Sequence, residues 1–368
     1  MMQMFSKLAA ADHEQVIAFQ NHATGLRGFL AIHDTTLGPA VGGTRIWNYA
    51  SDADALDDAL RLSRAMTYKN SLAELPAGGG KAVLIAHDGL DRIAAFEAYG
   101  AMIESLNGRF FAGRDVGITD ADIAAIARNT QYMAREPSPG LGDISEHTAI
   151  GIWHAMRACL ELAGIDRPPR VAIQGVGSVG IHLARIVKRE SGSLCVADID
   201  AGRAERAAKE LGARVLPVEE ILFAEVDVLA PCALGGVISA ANAPRIRAKI
   251  VCGSANNMLT GMDAADALLR SGVIYAPDYL VNAGGVIRGT EFFLLGIQDS
   301  SESLARIYGR TIRVPESRAA AEFLPRASPT SWPKRASSAR NCSAISTGAS
   351  ASRWLKSTAH VSCRGVPV

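Results

Sequence analysis

The decapeptide V-A-I-Q-G-V-G-S-V-G at 171–180 restricts the fold of this chain more than any other stretch. A short apolar run suited to a buried strand leads straight into Gly175, Gly177 and Gly180 at G-x-G-x-x-G spacing, and I-H-L-A-R-I-V-K-R continues with helical periodicity. A second strand-like run, S-L-C-V-A-D-I-D, brings in Asp198, 18 residues beyond Gly180. Alone, a glycine turn is only a turn. Strand, glycines, helix and acid together specify a βαβ unit that holds a dinucleotide. In it Gly175 makes the turn, Gly177 admits the pyrophosphate, and Gly180 lets helix and strand pack closely. The helix N-terminus, with Ser178 and Val179 in its first turn, faces the anion. Asp198 suits the adenosine ribose hydroxyls and repels a 2′-phosphate, which predicts NAD over NADP. The strand-like runs V-D-V-L-A-P (226–231), K-I-V-C-G (249–253) and V-I-Y-A-P (273–277) extend the unit into a doubly wound parallel sheet, preceded by a helix over 147–163.

At 368 residues the chain is too long for one ordinary core, so a second unit is expected ahead of this one. Residues 14–33 read as a hairpin, with E-Q-V-I-A-F-Q and L-R-G-F-L-A-I-H flanking the turn N-H-A-T-G. G-P-A-V-G-G-T-R-I-W (38–47) reads as a glycine-bearing approach loop. Ser51 and Asp54 have the form of a capping box and open a helix that ends near T-Y-K-N (67–70). P-A-G-G-G-K (76–81) then reads as a second glycine loop, with Lys81 at the mouth of a strand over 82–86. A lysine among glycines and apolar neighbours is poorly solvated, which lowers its pKa and suits it to proton chemistry. The alternative, a glycine turn with a solvated lysine, stays open on these residues alone. A phosphate-binding P-loop fits poorly, because Leu75 and Ala82 stand where Gly and Ser or Thr belong. A helix over 91–106 follows, then strand-like R-F-F-A-G and R-D-V-G-I-T. The Pro- and Gly-rich segment 135–143 reads as a hinge, giving a first unit over 1–142 with a mixed sheet and a dinucleotide-binding unit over 143–313.

Composition excludes several classes. No apolar run is long enough to span a membrane, and the opening residues lack a signal-peptide pattern, so a cytoplasmic chain is expected. Six cysteines are scattered without metal-ligand spacing, so no metal is expected. From Pro315 onward there are eight Lys/Arg against two Asp/Glu, which leaves the first 314 residues at −5 out of a total of +1. Such a body offers nothing for nucleic acid.

Eight motifs in order link the two units: G-P-A-V-G-G-T-R (38–45), M-T-Y-K-N (66–70), G-G-G-K (78–81), R-D-V-G (114–117), the fingerprint, A-P-C-A-L-G-G (230–236), G-S-A-N-N (253–257) and A-P-D-Y-L-V-N-A-G-G (276–285). With them the chain resembles the Glu/Leu/Phe/Val amino-acid dehydrogenases, and the leucine/phenylalanine/valine branch most closely. The resemblance implies a substrate domain, a Rossmann domain and a cleft between them. The implied reaction is reversible, NAD-linked oxidative deamination of an L-amino acid to a 2-oxo acid and ammonium, in a homo-oligomer. It implies that Lys69, helped by the Gly42 and Gly43 backbone, binds the substrate carboxylate. Lys81 would activate water, Asp115 would carry the proton to and from nitrogen, and Asn282 would place substrate and nicotinamide. Thr148, Cys232, Ala233 and Asn256 join the cofactor set on the same ground. Singly, Lys69 also reads as a helix C-terminal lysine facing the dipole, and Asp115 as a loop acid bonding backbone N–H groups. Where the glutamate-specific members carry a lysine for the distal carboxylate, this chain has Val41, so glutamate would leave a buried unpaired charge. Val41, Met66 and Leu304 are the candidate pocket walls, Leu304 equally a core residue. An apolar substrate is expected, leucine, valine or isoleucine before phenylalanine. A silent NAD-binding protein is the reading from another class.

After Arg313 the apolar periodicity stops and a Ser/Ala/Arg/Pro-rich stretch runs over 314–368, where the resemblance implies a continuing helix. A disordered basic tail is one reading. A shifted reading frame near 312–315 is the favoured one, checked by translating the other two frames for an amphipathic helix.

Overall fold

The computed structural model describes residues 4–135 and 137–316, with side chains through Arg313. The tail reading over 314–368 therefore lies, beyond Glu316, outside the described residues. Two sheets organise the chain. The first has the order β1-β2-β4-β3-β5, from β1 (Gln15–Asn21), β2 (Leu26–Asp34), β3 (Ala40–Trp47), β4 (Gly78–Ile85) and β5 (Phe110–Arg114). β1, β2 and β4 pair antiparallel, and β4, β3 and β5 pair parallel, so the sheet is mixed. The expected hairpin is present, with Gln15 opposite Ile32 and Asn21 opposite Leu26. The helices α1 (Met4–Ala9), α2 (Asp52–Leu72), α3 (Arg92–Ser105) and α4 (Asp120–Ala127) belong to this half. Ser51 caps α2 by accepting from Asp54 N at 3.2 Å and donates to the Asp54 carboxylate at 2.7 Å.

The second sheet is wholly parallel: β6 (Arg170–Gln174), β7 (Ser193–Ala197), β8 (Arg214–Val215), β9 (Val228–Pro231), β10 (Ile250–Val251) and β11 (Ile274–Tyr275), in the order β11-β10-β9-β6-β7-β8. Its helices are α5 (Ile144–Leu162), α6 (Ser178–Arg189), α7 (Ala201–Leu211), α8 (Met262–Arg270), α9 (Asp278–Val281), α10 (Gly284–Phe293) and α11 (Ser301–Glu316). The strand order reverses between β6 and β9, the switch point at which a doubly wound sheet opens a ligand crevice. Alternate strand residues feed opposite cores. Val171, Ile173, Val196 and Val228 pack toward α5 and α6, while Ala172, Ala197, Leu229 and Val251 pack on the other face. The fold is α/β, as expected. The core beneath α5 also takes in Val41, Ala73, Leu75, Ala77 and Phe111 from the first half, together with Leu304 and Ile307 of α11. Arg310 on α11 reaches Glu74 at 3.0 Å, so the last helices tie the two halves together.

Three local readings are corrected. Both glycine segments read as loops lie inside strands, 40–47 in β3 and 78–85 in β4, so Lys81 stands mid-strand instead of at a strand mouth. None of Gly78, Gly79 and Gly80 takes a positive φ. They are required because other chain segments press on them: a Cβ on Gly79 would lie 2.2 Å from Thr67 N, and one on Gly78 2.0 Å from Asp34 O. The third correction is R-D-V-G-I-T, which turns after β5 instead of continuing it. Gly117 has φ +81°, and Ile118 N donates to Asp115 O at 3.2 Å.

Candidate active site

The close approach of α2 to β4 places two lysines together. Lys69 follows Thr67 on the helix, and Lys81 follows Gly79 on the strand. Across them, the turn after β5 sets Asp115 against β3. Lys81 Nζ lies 2.6 Å from Asp115 Oδ2, with the Lys81 side chain only 7% exposed. Gly43 on β3 makes room for this pair, since a Cβ there would meet Asp115 Cβ at 2.8 Å and Lys81 Nζ at 3.1 Å. A Cβ on Gly42 would collide with Gly80 O at 1.7 Å and reach Met66 Cγ at 3.5 Å, so Met66 borders the same spot. Val41 is buried in the core that joins the halves, and Leu304 lies in that core as well.

Electrostatics set the state of these groups. Burial pushes the Lys81 ammonium down from its ordinary pKa; Asp115 works against that, and the neighbouring Arg45 adds to it. Lys69 is likewise lowered by burial and by Lys81, against Asp278 and Asp115, which favour its charge. Lys69 is half-buried and has no ion pair or hydrogen bond among the described residues. Burial works to raise the Asp115 carboxyl, but Lys81 and Arg45 outweigh it and hold the group below the usual carboxylate range. The site thus presents a lysine without an ion pair among the described residues beside a buried lysine–carboxylate pair.

The crevice of the second sheet fits a dinucleotide. Gly175 turns with φ +91°, and a Cβ on it would meet Ala233 Cβ at 2.7 Å. A Cβ on Gly180 would lie 1.9 Å from Gly175 O, so strand and helix touch there. Gly177 is the N-cap of α6 without a side-chain cap, and among the described residues a Cβ on it would meet only Arg203 Nη1, at 3.8 Å, which leaves the N–H groups of Ser178 and Val179 at an open helix end. Asp198 accepts from Val176 N at 3.0 Å and Asp200 N at 2.9 Å, so its carboxylate braces the glycine loop. Burial pushes the Cys232 thiol up, which marks an inert cysteine. Asn282 donates to Ser254 O at 3.0 Å and to Asn256 Oδ1 at 2.8 Å, while its own Oδ1 is buried without a partner. Thr148 on α5 bonds Ile144 O at 2.9 Å, and its hydroxyl would lie 2.7 Å from a Cβ on Gly285.

The structure therefore gathers Lys69, Lys81, Asp115, Gly42, Gly43 and Met66 at one centre. Gly175, Gly177, Gly180, Asp198 and Ala233 lie at the crevice. Sequence reading missed Arg45, Asp58 and Asp278, although Arg45 and Asp278 lie inside two of the quoted motifs. Gln174, whose buried Oε1 has no partner at the end of β6, was also missed. Among the described residues no helix is long and apolar enough to cross a membrane, and no cluster of metal-ligating side chains occurs.

Comparison with known proteins agrees with this geometry. Residues 13–138 match the Glu/Leu/Phe/Val dehydrogenase dimerisation domain, and residues 200–291 match the Glutamate/Leucine/Phenylalanine/Valine dehydrogenase domain. Leucine dehydrogenase of Geobacillus stearothermophilus is 42% identical over 320 residues, spanning 85% of this chain and 87% of that protein. Phenylalanine dehydrogenase of Lysinibacillus sphaericus is 41% identical over 77% of each chain. The crystal structure of L-tryptophan dehydrogenase from Nostoc punctiforme superposes with a TM-score of 0.75 at 37% identity, covering 85% of this chain and 92% of that one. With a buried lysine–carboxylate pair, an open dinucleotide crevice and this degree of likeness, the chain belongs to the Glu/Leu/Phe/Val dehydrogenase family, in its leucine/phenylalanine/valine branch, and is an amino-acid dehydrogenase acting on the CH–NH2 group of its donor.

Proposed function

We propose that this chain carries out reversible oxidative deamination of an apolar L-amino acid, with leucine, valine and isoleucine preferred and NAD as cofactor. The observation that carries the reading is the Lys81–Asp115 pair at 2.6 Å beside Lys69, which lacks a partner among the described residues. L-Amino acid, NAD and water become 2-oxo acid, ammonium, NADH and a proton. When bound, NAD accepts the hydride from Cα. Lys69 takes the substrate carboxylate, with the Gly42–Gly43 backbone alongside, and so fixes Cα for that transfer. Asp115, ionised, accepts the proton that frees the substrate amine and later returns one to the leaving nitrogen. Lys81, with its ammonium form disfavoured by burial, takes the proton of the water that attacks the iminium carbon. Asn282, with its free Oδ1, is suited to the nicotinamide side of the cleft.

NAD over NADP rests on Asp198, since a carboxylate at the end of β7 opposes a 2′-phosphate. The apolar preference rests on Val41 and on leucine dehydrogenase as a relative; phenylalanine and tryptophan dehydrogenases of similar likeness make aromatic substrates the competing outcome. We assign residues 1–142 to substrate and 143–313 to cofactor, and expect a cytoplasmic homo-oligomer, in keeping with a family domain described as a dimerisation domain. NADH formation from NAD with a panel of L-amino acids, beside Lys81→Ala and Asp115→Asn, tests the reading. Turnover of leucine, valine or isoleucine, lost in both variants, supports it. Cofactor binding without turnover of any amino acid overturns it in favour of a silent binding protein.

A further inference from the structure

Behind the lysine–carboxylate pair runs a chain of charges that the reaction does not by itself require. Arg45 Nε reaches Asp115 Oδ2 at 2.9 Å, the same oxygen that meets Lys81. The other end of its guanidinium, Nη1, reaches Asp58 Oδ2 on α2 at 2.9 Å. Asp58 is fixed in turn by the Tyr49 hydroxyl at 2.6 Å and by Arg61 at 2.6 Å. Arg45 therefore spans two carboxylates with its planar fork, an arrangement that neither lysine nor glutamine reproduces. Its outer side lines a cavity of about 500 Å³ with Trp47, Tyr49, Asp58 and Val116, so the guanidinium lies between the buried pair and water.

We propose that Arg45 is the positioning residue for Asp115, holding that carboxylate in place and ionised while Lys81 is in its neutral, proton-accepting form. The inference rests on the dehydrogenase reading above. Among the described residues Asp115 has two ion-pair partners, Lys81 and Arg45, and the mechanism requires one of them, Lys81, to be neutral in every cycle. Without Arg45, the carboxylate would have no ion pair left among the described residues at the step in which it must hold the substrate amine. Arg45 keeps its charge at every working pH. The charged and titratable groups facing the pair are Arg45 on β3 and Asp58 and Lys69 on α2, with Asp278 on α9 acting on Lys69; of these Arg45 is the one whose charge is permanent.

The test compares pH profiles of oxidative deamination for the full chain, Arg45→Gln, Arg45→Lys and Arg45→Ala, with thermal unfolding and NADH binding recorded on each. Removing the fixed positive charge raises the pKa of both Lys81 and Asp115. The acid limb of kcat/KM for Arg45→Gln should therefore move alkaline by about one pH unit, a loss of about tenfold on that limb that recovers at high pH. Arg45→Lys, which keeps the charge, should retain the position of the limb and lose rate uniformly. In Arg45→Ala the outer cavity gives free guanidinium a path to the vacated site, so millimolar guanidinium should restore activity where equal sodium chloride does not. Rate losses that match lost stability, with an unmoved limb and no rescue, overturn the proposal. If instead Lys81→Ala and Asp115→Asn turn over normally, the dehydrogenase assignment of the site fails, and a separate result has failed.

Discussion

Gly79→Ala tests whether the three glycines of β4 serve to bring α2 onto the sheet. The added Cβ would lie 2.2 Å from both Thr67 N and Thr67 Oγ1 and 2.5 Å from Ser63 O, whereas ordinary contact begins at 3.4 Å. Two of these three atoms are helix backbone, so no rotamer change relieves the overlap, and α2 must retreat by more than 1 Å. Overpacking of this kind costs about 1–3 kcal/mol, and a clash against backbone belongs at the upper end. Tm should fall by roughly 5 °C or more. Activity should fall further than stability, because Lys69 sits two residues beyond Thr67 and withdraws with the helix from Lys81 and Asp115. A misplacement of about 1 Å in a reacting constellation costs on the order of 100-fold in rate. Differential scanning fluorimetry and kcat/KM on the same preparation measure both. A variant with unchanged Tm and kcat/KM would refute the packing role of Gly79 and, with it, the account of how the two lysines meet.

Gly43→Ala presses on the site itself, since its Cβ would meet Asp115 Cβ at 2.8 Å, Arg114 O at 3.1 Å and Lys81 Nζ at 3.1 Å: the turn after β5 must shift, so kcat/KM should drop at least tenfold while Tm falls by only a few degrees, and a normal pH profile would count against it. His33 is fully buried, bonds Thr67 Oγ1 at 2.8 Å, and has its pKa lowered to about 4, first by burial and then by the neighbouring His13. Its folded-state pKa lies below its unfolded one, so the unfolded chain binds the extra proton and stability is lost as pH falls from about 6.5 toward 4, by about 3 kcal/mol for this group. Urea midpoints measured across that window should slope less steeply in His33→Gln; an unchanged slope assigns the acid sensitivity elsewhere. Asp227, before β9, accepts from both Nη atoms of Arg167 at 2.8 Å and from Arg170 N at 2.8 Å, at the end of the sheet away from the crevice. Asp227→Asn should cost roughly 1–3 kcal/mol of stability while kcat/KM stays intact, and lost activity at full stability would contradict that placement.

What the sequence made legible was local. The hairpin at 15–34, the cap at Ser51 and the fingerprint at 175–180 are each written within at most twenty consecutive residues. The roles of Gly78 and Gly79 were not legible, because the groups that demand a missing Cβ are Asp34 and Thr67, on other elements. Three glycines in a row look like a loop until the neighbour pressing on them is known. Arg45 went unassigned for the same reason: 70 residues separate it from Asp115, and nothing in G-G-T-R announces that its guanidinium will span two carboxylates. Motif resemblance did supply Lys69, Lys81 and Asp115. The positions that support them had to come from packing.

The solitary Lys69 carries a consequence for the fold as a whole. Its ammonium is disfavoured by burial and by the second lysine, Asp278 and Asp115 offset only part of that, and the native state bears the remainder whenever the cleft is empty. In the proposed mechanism the substrate carboxylate supplies a contacting counter-ion, and its arrival relaxes the protein as well as filling a site. The free enzyme is on this view built under tension, with catalytic competence and ease of folding set against each other at one side chain. Lys69→Met should yield a chain that melts higher than the parent and turns over nothing, whereas a parent protein warmed together with a 2-oxo acid should regain much of that difference.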